Sequence, residues 1–490
     1  MRLPQPFTDQ LSHLLGADEY ARFVAALDAE QPVSIRLNEG KWQTLFPDAT
    51  LPALAVAVPW CRSGRYLDRR PSFTFDPLFH AGCYYVQEAS SMFLEQALRQ
   101  CITTEPIVML DLCAAPGGKS THARSLLPEG SLLVANEVMR ARSQVLAENL
   151  TKWGHPDVVV TNSDPADFTS LHGLFDVILT DVPCSGEGMF RKDPVAVAEW
   201  SPENVTTCWQ RQRRILTAIW PSLKPGGYLI YSTCTYNTQE DEENVRWLSE
   251  EFGAEVCPIP LSPDWGVTGN LLSGESFPVY RFLPHRTAGE GFFLALLRKP
   301  LEEGEADTFS FSSRGKNNSL REKKKMQGKG GKPMGPTREQ MNQLRSWLKV
   351  DAAEYDLLAE GEAVTVFPHR WLSVWEALRA SVRVCQAGLS LAELKGREWQ
   401  PAHALAMSRL LNPDAFVSAE VSSPQAWAYL RKEAVTLSPS LPRGILLLTY
   451  RGVPLGFVKN VGNRANNLYP QEWRIRSGYQ PDDAVELFAF

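Results

Sequence analysis

The sequence predicts an α/β chain organised around a parallel sheet with helices on both faces. Two observations carry that prediction. Between residues 107 and 250, five short apolar runs (IVMLDLCAA, SLLVANEV, DVVVTNSD, FDVILTDVP and GGYLIYSTC) alternate with helical stretches such as MRARSQVLAENLTKWG and NVTTCWQRQRRILTAIWPSL. Runs that are apolar throughout, not at every second residue, belong to strands buried on both sides, which is the condition of a helix-covered parallel sheet. The second is composition. With 490 residues, 44% of them hydrophobic and 22% charged, the chain is ordinary globular material and long enough for several domains.

The elements follow in order. Residues 1–95 read as a small α/β module: QPFTDQLSHLLG and DEYARFVAALDAE have helical periodicity, and SIRLNEG is strand-like. CYYVQEASSMFLEQALRQ is predicted as one amphipathic helix entering the next unit. Residues 96–300 hold the five apolar strands, closed by VYRFLPH and GFFLALLRKP as an antiparallel pair around TAGEG. Residues 301–340 are a linker. Within it, Arg314–Pro333 has eight basic residues, one acidic residue and no aromatic residue, so it is either a solvated tether or a phosphate-contacting arm. Residues 341–415 are predicted as a helical subdomain and 416–490 as a final α+β unit. There GILLLTY and VPLGFVK flank Arg451-Gly452, the signature of a tight hairpin.

Several classes are disfavoured. The apolar runs fall far short of the ~20 residues that span a bilayer, and MRLPQPFTDQLSHLLG lacks the apolar core of a signal peptide. Nine cysteines form no C-x-x-C pair, which argues against zinc ribbons and thioredoxin-like centres; no metal is expected. The odd count fits a reducing cytoplasm. The net charge of −6 is unevenly spread: residues 1–313 carry 25 Lys and Arg against 39 Asp and Glu, and residues 314–490 carry 25 against 17. The basic C-terminal part is the better candidate for a polyanion contact, unless it merely keeps a domain soluble. No heptad repeat or exposed apolar stripe demands oligomerisation, so a monomer is expected.

The candidate chemistry lies at the carboxyl ends of the strands, where open parallel sheets bind ligands. After the first strand comes Asp111-Leu-Cys113-Ala114-Ala115-Pro116-Gly117-Gly118-Lys119-Ser120. The paired glycines permit a sharp turn and close approach to a ligand. A phosphate-binding P-loop would need glycine at 113, and the dinucleotide pattern G-x-G-x-x-G is absent. Glu137, ending the second strand, is placed to accept from ribose hydroxyls. Asp164, after the third, is placed to reach an adenine amino group. Either acid could instead cap a helix. The fourth strand ends in Asp181-Val-Pro-Cys184 and the fifth in Thr-Cys234, which puts two thiols beside one cleft.

DLCAAPGGKS, DVPCSGEGMFRKDP, YSTCTYNTQEDEENV and RFLPHRTAGEGFF together resemble the RNA cytosine-C5 methyltransferases of the NOL1/NOP2/Sun type, over about residues 80–300. The layout is most similar to the bacterial subgroup acting on small-subunit rRNA, and VPLGFVKNVGNRANNLYP resembles its PUA-like tail. Val182 departs from the usual alanine without touching a reactive group. The resemblance implies a Rossmann-like S-adenosylmethionine-dependent domain flanked by an N-terminal RNA-binding module and a C-terminal PUA-like module. It implies a covalent adduct of Cys234 with C6 of the base and a role for Cys184 in the later proton loss and release. It also implies a proton or hydrogen bond from Asp181 to N3, and Lys119 polarising the base, with a cation expected near Cys234. The cofactor residues carried over are Cys113, Ala114, Ala115, Pro116, Gly117, Gly118, Lys119, Glu137, Arg142, Asp164 and Asp181. Arg142 has an alternative as a helix partner of Glu148. Arg191 and Lys192 read either as phosphate contacts or as partners of Asp193 or Glu187. Trp153, Trp200 and Trp209 read as packing. The implied partner is RNA, 16S rRNA or the small subunit first and tRNA second. A DNA cytosine methyltransferase, with Cys184 as nucleophile, and a catalytically silent RNA-binding assembly protein are the competing readings.

Overall fold

The computed structural model describes residues 2–45, 56–301, 335–349, 353–462 and 464–479. The basic linker Arg314–Pro333 and the last eleven residues lie outside the described residues. The five apolar runs form adjacent parallel strands: Leu223–Thr233, Phe175–Asp181, Val108–Asp111, Leu132–Asn136 and Val158–Thr161, in that spatial order. Val108–Asp111 is first in sequence yet central in space, so the winding reverses beside it. A crevice opens there at the strands' carboxyl ends. Strand residues such as Leu110, Val134 and Ile178 are wholly buried, as a sheet covered on both faces requires. Phe292–Arg298 continues the sheet antiparallel to Leu223–Thr233, and Tyr280–Phe282 pairs with it as expected.

Three features depart from the sequence reading. The stretch predicted as one amphipathic helix is a strand, Tyr84–Val86, then a 3-10 turn, Ser90–Phe93, and only then a helix, Leu94–Cys101. Tyr84–Val86 pairs with Val33–Leu37, and this tertiary pairing overrides helical periodicity. The segment 341–415, expected to be helical, contains a four-stranded antiparallel sheet of Tyr355–Glu360, Ala363–Pro368, Leu389–Lys395 and Glu398–Pro401. Its helices, Arg338–Ser346 and Leu372–Ser381, are real but secondary. From the same segment, Val384–Ala387 adds antiparallel to Val158–Thr161 and extends the central sheet by one strand.

The two ends of the chain meet. The N-terminal helices Gln5–Leu15 and Ala17–Leu27 bury Phe7, Leu11, Phe23 and Leu27 against Phe190, Trp200 and Tyr236. The N-terminal sheet shares a core with the C-terminal sheet: Ile35, Leu37, Phe75 and Tyr84 pack with Tyr429, Leu448 and Val458. The Trp427 indole N–H donates to the Phe75 carbonyl at 2.8 Å. Each such large side chain contributes about 1.5–3 kcal/mol on burial, so the terminal modules are built into one framework. Gly82 marks the closest approach to the helix Arg140–Trp153: its φ is +70°, and a Cβ there would lie 1.9 Å from the Lys152 carbonyl oxygen. The C-terminal hairpin turns at Arg451 and Gly452, both left-handed (φ 53° and 75°), joining Gly444–Tyr450 to Val453–Asn460.

Candidate active site

Asp111 ends the central strand and is wholly buried. The Ser120 hydroxyl donates to its Oδ2 at 2.6 Å, while Oδ1 has no partner among the described residues. Burial pushes its carboxyl up to about 7. The loop then turns at Gly117, left-handed at φ 115°, which opens the helix Gly118–Leu126. A Cβ on Gly117 would press within 3.3 Å of Leu146, so the loop can lie flat against the next helix only as glycine. The Cys113 thiol is pushed well above its ordinary range by burial and by the Asp111 carboxylate, which leaves it a poor nucleophile.

Glu137 is held rather than free to swing. Its Oε1 accepts from the Met139 amide at 2.9 Å, and its Oε2 lies 3.3 Å from Arg142 Nη1. Arg142 also donates to the Ala115 carbonyl at 2.7 Å. Arg142 therefore ties the glycine loop to Glu137. Glu148, the alternative partner in the sequence reading, is taken by Lys152. Asp164 caps the 3-10 turn Pro165–Ser170 through Ala166 N, with Asp167 reciprocating, so its helix-cap role is real at the same strand-end position. Asn162 donates to the carbonyls of Glu137 and Val138 at 2.7 and 2.9 Å, joining the second and third strand ends.

At the fourth and fifth strand ends Asp181, Cys184, Ser232 and Cys234 converge with Lys119 from the helix after the glycine loop. Cys184 Sγ and Cys234 Sγ are 3.1 Å apart. Lys119 Nζ donates to Asp181 Oδ2 at 2.8 Å, and the Ser232 hydroxyl donates to Asp181 Oδ1 at 2.9 Å. The contact with Cys234 and burial push the Cys184 thiol well above its ordinary range. Burial lowers the Lys119 ammonium, but Asp181 and then Cys234 outweigh it and the net shift is upward. Lys119 is thus the cation expected near Cys234. Asp181 is ion-paired with Lys119.

Two buried glutamates, neither singled out as a site residue from the sequence, hold the cysteine loops together. Glu187 accepts four hydrogen bonds: from the Trp200 indole (3.0 Å), the Tyr236 amide (2.7 Å), and the Asn237 amide and side chain (3.0 Å each). Glu240 accepts from the Ser185 amide at 3.0 Å, Gln212 at 2.7 Å and the Asn237 side chain at 2.9 Å, and burial lifts its carboxyl to about 7. Behind them Arg281 is wholly buried against Asp241 and Glu242.

Arg191 is a correction. Its guanidinium bonds Glu290 at 3.1 Å and the carbonyls of Ala26 and Gly289, and it is buried. It is unavailable to a phosphate, and its partner is neither Asp193 nor Glu187. Lys192, 3.9 Å from Glu290, keeps partial exposure. The tryptophans pack: Trp153 under the Arg36 guanidinium, Trp200 on Phe7, Trp209 under Arg213.

A family model described as 16S rRNA methyltransferase RsmB/F matches residues 102–298. Models of the N-terminal domain of 16S rRNA methyltransferase RsmF and of the methyltransferase RsmF PUA domain match residues 3–89 and 416–475. A relative named ribosomal RNA small subunit methyltransferase F, from Cronobacter sakazakii, is 32% identical, the match covering 97% of each chain. The chain belongs to this family. The Escherichia coli O81 relative of the same name is 30% identical over the same shares. Among solved structures, a methyltransferase homologue from Pyrococcus horikoshii is 28% identical with a TM-score of 0.51, covering 60% of this chain and 95% of that one. NSun6 from the same organism, solved with SFG, is 21% identical with a TM-score of 0.51, covering 61% and 99%, and supports the fold. The chain is an S-adenosylmethionine-dependent methyltransferase of the NOL1/NOP2/Sun type with a PUA domain. No helix among the described residues is long and apolar enough to cross a membrane.

Proposed function

We propose that this enzyme methylates C5 of a cytosine in 16S rRNA of the small ribosomal subunit through a transient bond between Cys234 and C6 of the base. The observation that carries the reading is the 3.1 Å approach of Cys184 and Cys234 beside the Lys119–Asp181 pair. Cytosine C5 is a poor nucleophile. Addition of the Cys234 thiolate to C6 pushes the C5–C6 π electrons toward N3, which takes a proton from the Lys119–Asp181 corner. C5 becomes an enamine-like carbon. S-adenosylmethionine, when bound, supplies the methyl group that C5 takes. Loss of the C5 proton to Cys184 re-forms the double bond and expels Cys234. In the adduct Cys184 first passes its own proton to solvent; its thiolate then takes the C5 proton, and N3 returns its proton to the Lys119–Asp181 corner as Cys234 leaves.

The residues fit the donor. Cys113 to Lys119 form a glycine cradle, and Asp111 offers a buried, unpartnered oxygen. Glu137, Arg142, Asp164 and Asp181 stand around the same strand ends. The target base must be unstacked to be attacked above C6, at a cost of a few kcal/mol that is least in a loop. The PUA domain and the N-terminal module would grip the flanking RNA. We take the active species to be a cytoplasmic monomer. Separate replacement tests the assignment. Cys184→Ala should accumulate a covalent RNA–protein complex on denaturing gels, and Cys234→Ala should form none. An adduct that persists in Cys234→Ala and vanishes in Cys184→Ala would exchange the roles and favour the DNA-enzyme pattern. Bisulfite sequencing of RNA from cells lacking the gene should show one small-subunit rRNA cytosine losing protection; loss in tRNA instead would overturn the substrate.

A further inference from the structure

The C-terminal half meets the donor cleft at a point that RNA binding does not explain. The third strand end, Asn162–Asp164, is clamped by the segment leading into the added strand Val384–Ala387. The Asn162 amide donates to the Arg383 carbonyl, and the Arg383 amide donates to the Ser163 hydroxyl, both at 2.9 Å. Two further contacts flank them: Ser170 Oγ to Ser381 Oγ at 3.2 Å, and the Gly388 amide to the Val158 carbonyl at 2.8 Å. Ser163 is buried, and its backbone is in turn bonded on both sides to the Asn136 amide group at 3.0 and 3.1 Å. Asn162 passes the constraint on to the Glu137 and Val138 carbonyls. One continuous set of hydrogen bonds therefore runs from residue 383 to the Glu137 loop.

We infer that Ser163 and the Arg383 backbone are positioning groups for the methyl donor: the C-terminal half completes the donor cleft by holding its Asn162–Asp164 edge in the binding conformation. This rests on the reading of Glu137 and Asp164 as donor-binding residues. The edge is a strand end followed by a short 3-10 turn, held locally by the Asn136 bonds and the Asp164 cap and tied to the C-terminal half through residues 381–388. Held in advance, it costs the ligand nothing to order; released, it must be frozen on binding, and affinity falls by the populated fraction of the competent state.

The test is the S-adenosylmethionine dissociation constant of the full chain, measured by calorimetry without RNA. Ser163→Ala removes the acceptor for the Arg383 amide and should weaken binding about fivefold, the scale of one hydrogen bond. Ser163→Thr, which keeps the hydroxyl, should restore it. Ser381→Ala, at the exposed end of the clamp and harmless to folding, should weaken it less but in the same direction. Glu137→Gln is the control on the cleft itself. If Glu137→Gln weakens binding while Ser163→Ala and Ser381→Ala leave it at the parental value, the inference fails and the cleft stands. If none of the three alters it, the assignment of the cleft fails first and takes the inference with it.

Discussion

Replacing Glu187 by glutamine tests whether buried carboxylates set the geometry of the two cysteines. The carboxylate is an acceptor at both oxygens: Oε1 takes the Trp200 indole and the Asn237 side chain, and Oε2 takes the amides of Tyr236 and Asn237. An amide keeps one oxygen and turns the other into a donor. Whichever way it lies, two donors face an N–H. Hydrogen bonds to a charged acceptor contribute about 1.5–3 kcal/mol each, so the substitution removes about 3–6 kcal/mol of local stabilisation. The lower end applies if the amide nitrogen turns to the Oε1 side, where both lost donors are side chains. Since about 1.4 kcal/mol is tenfold, amide exchange at Tyr236 and Asn237 should speed up about 100-fold or more, if these amides open by local unfolding. Methylation should fall in parallel, because Cys234 sits two residues before Tyr236. The assay is hydrogen exchange of the full chain at residues 184–189 and 233–240, beside single-turnover methylation. Parental protection together with parental turnover in Glu187→Gln would refute the reasoning.

Other outcomes follow from the same geometry. Lys119→Met removes the only charged donor hydrogen-bonded to Asp181 among the described residues and should lower single-turnover methylation by about 10²–10³, the cost of one preorganised donor; a parental rate would exclude Lys119 from the proton corner. Burial lowers His80 and His403 to about 3 and His122 to about 4. The unfolded chain takes up these protons below its ordinary value of about 6.5, whereas the folded chain does so only near 3–4. Stability from this source is therefore complete above about pH 7 and is lost as pH falls toward 4. His403→Leu should flatten that loss in denaturant midpoints compared between about pH 7 and 5, and an unchanged slope would contradict it. Gly82→Ala should destabilise the junction between the N-terminal sheet and the Arg140–Trp153 helix by several kcal/mol, visible as a lowered thermal midpoint, because a Cβ meets the Lys152 carbonyl at 1.9 Å. Arg451→Asn, at a left-handed position that asparagine adopts more readily, should raise the stability of the C-terminal hairpin by about 1 kcal/mol, and a lowered midpoint would count against the turn assignment.

What could be read in the chain and what could not divide along one physical line. The five strands were legible because burial on both faces forces an unbroken apolar run, which surface segments do not show. Their carboxyl ends by themselves put Cys113–Lys119, Glu137, Asp164, Asp181, Cys184 and Cys234 on one side of a sheet. That the two thiols are neighbours follows from Phe175–Asp181 and Leu223–Thr233 pairing in parallel, with Asp181 level with Ser232. Glu187, Glu240 and Arg191 were not legible, because a charged residue in a loop looks the same whether it faces water or a buried partner. Arg191 could be placed only by knowing that Glu290, 99 residues on, folds back beside it; by itself RKDP is a surface sequence. The 341–415 sheet escaped for a related reason. LSVWEALRAS has strong helical periodicity, whereas YDLLAE and AVTVFP are short, half-buried strands whose partner lies across a tight turn. Val384–Ala387 is shorter still and gains its conformation from an edge supplied by Val158–Thr161, more than 200 residues earlier. Reaction chemistry in this protein is therefore written in local motifs. The groups that aim it are written in long-range pairs, and substitutions distant from both cysteines, at Glu187 or Ser163, become the informative ones.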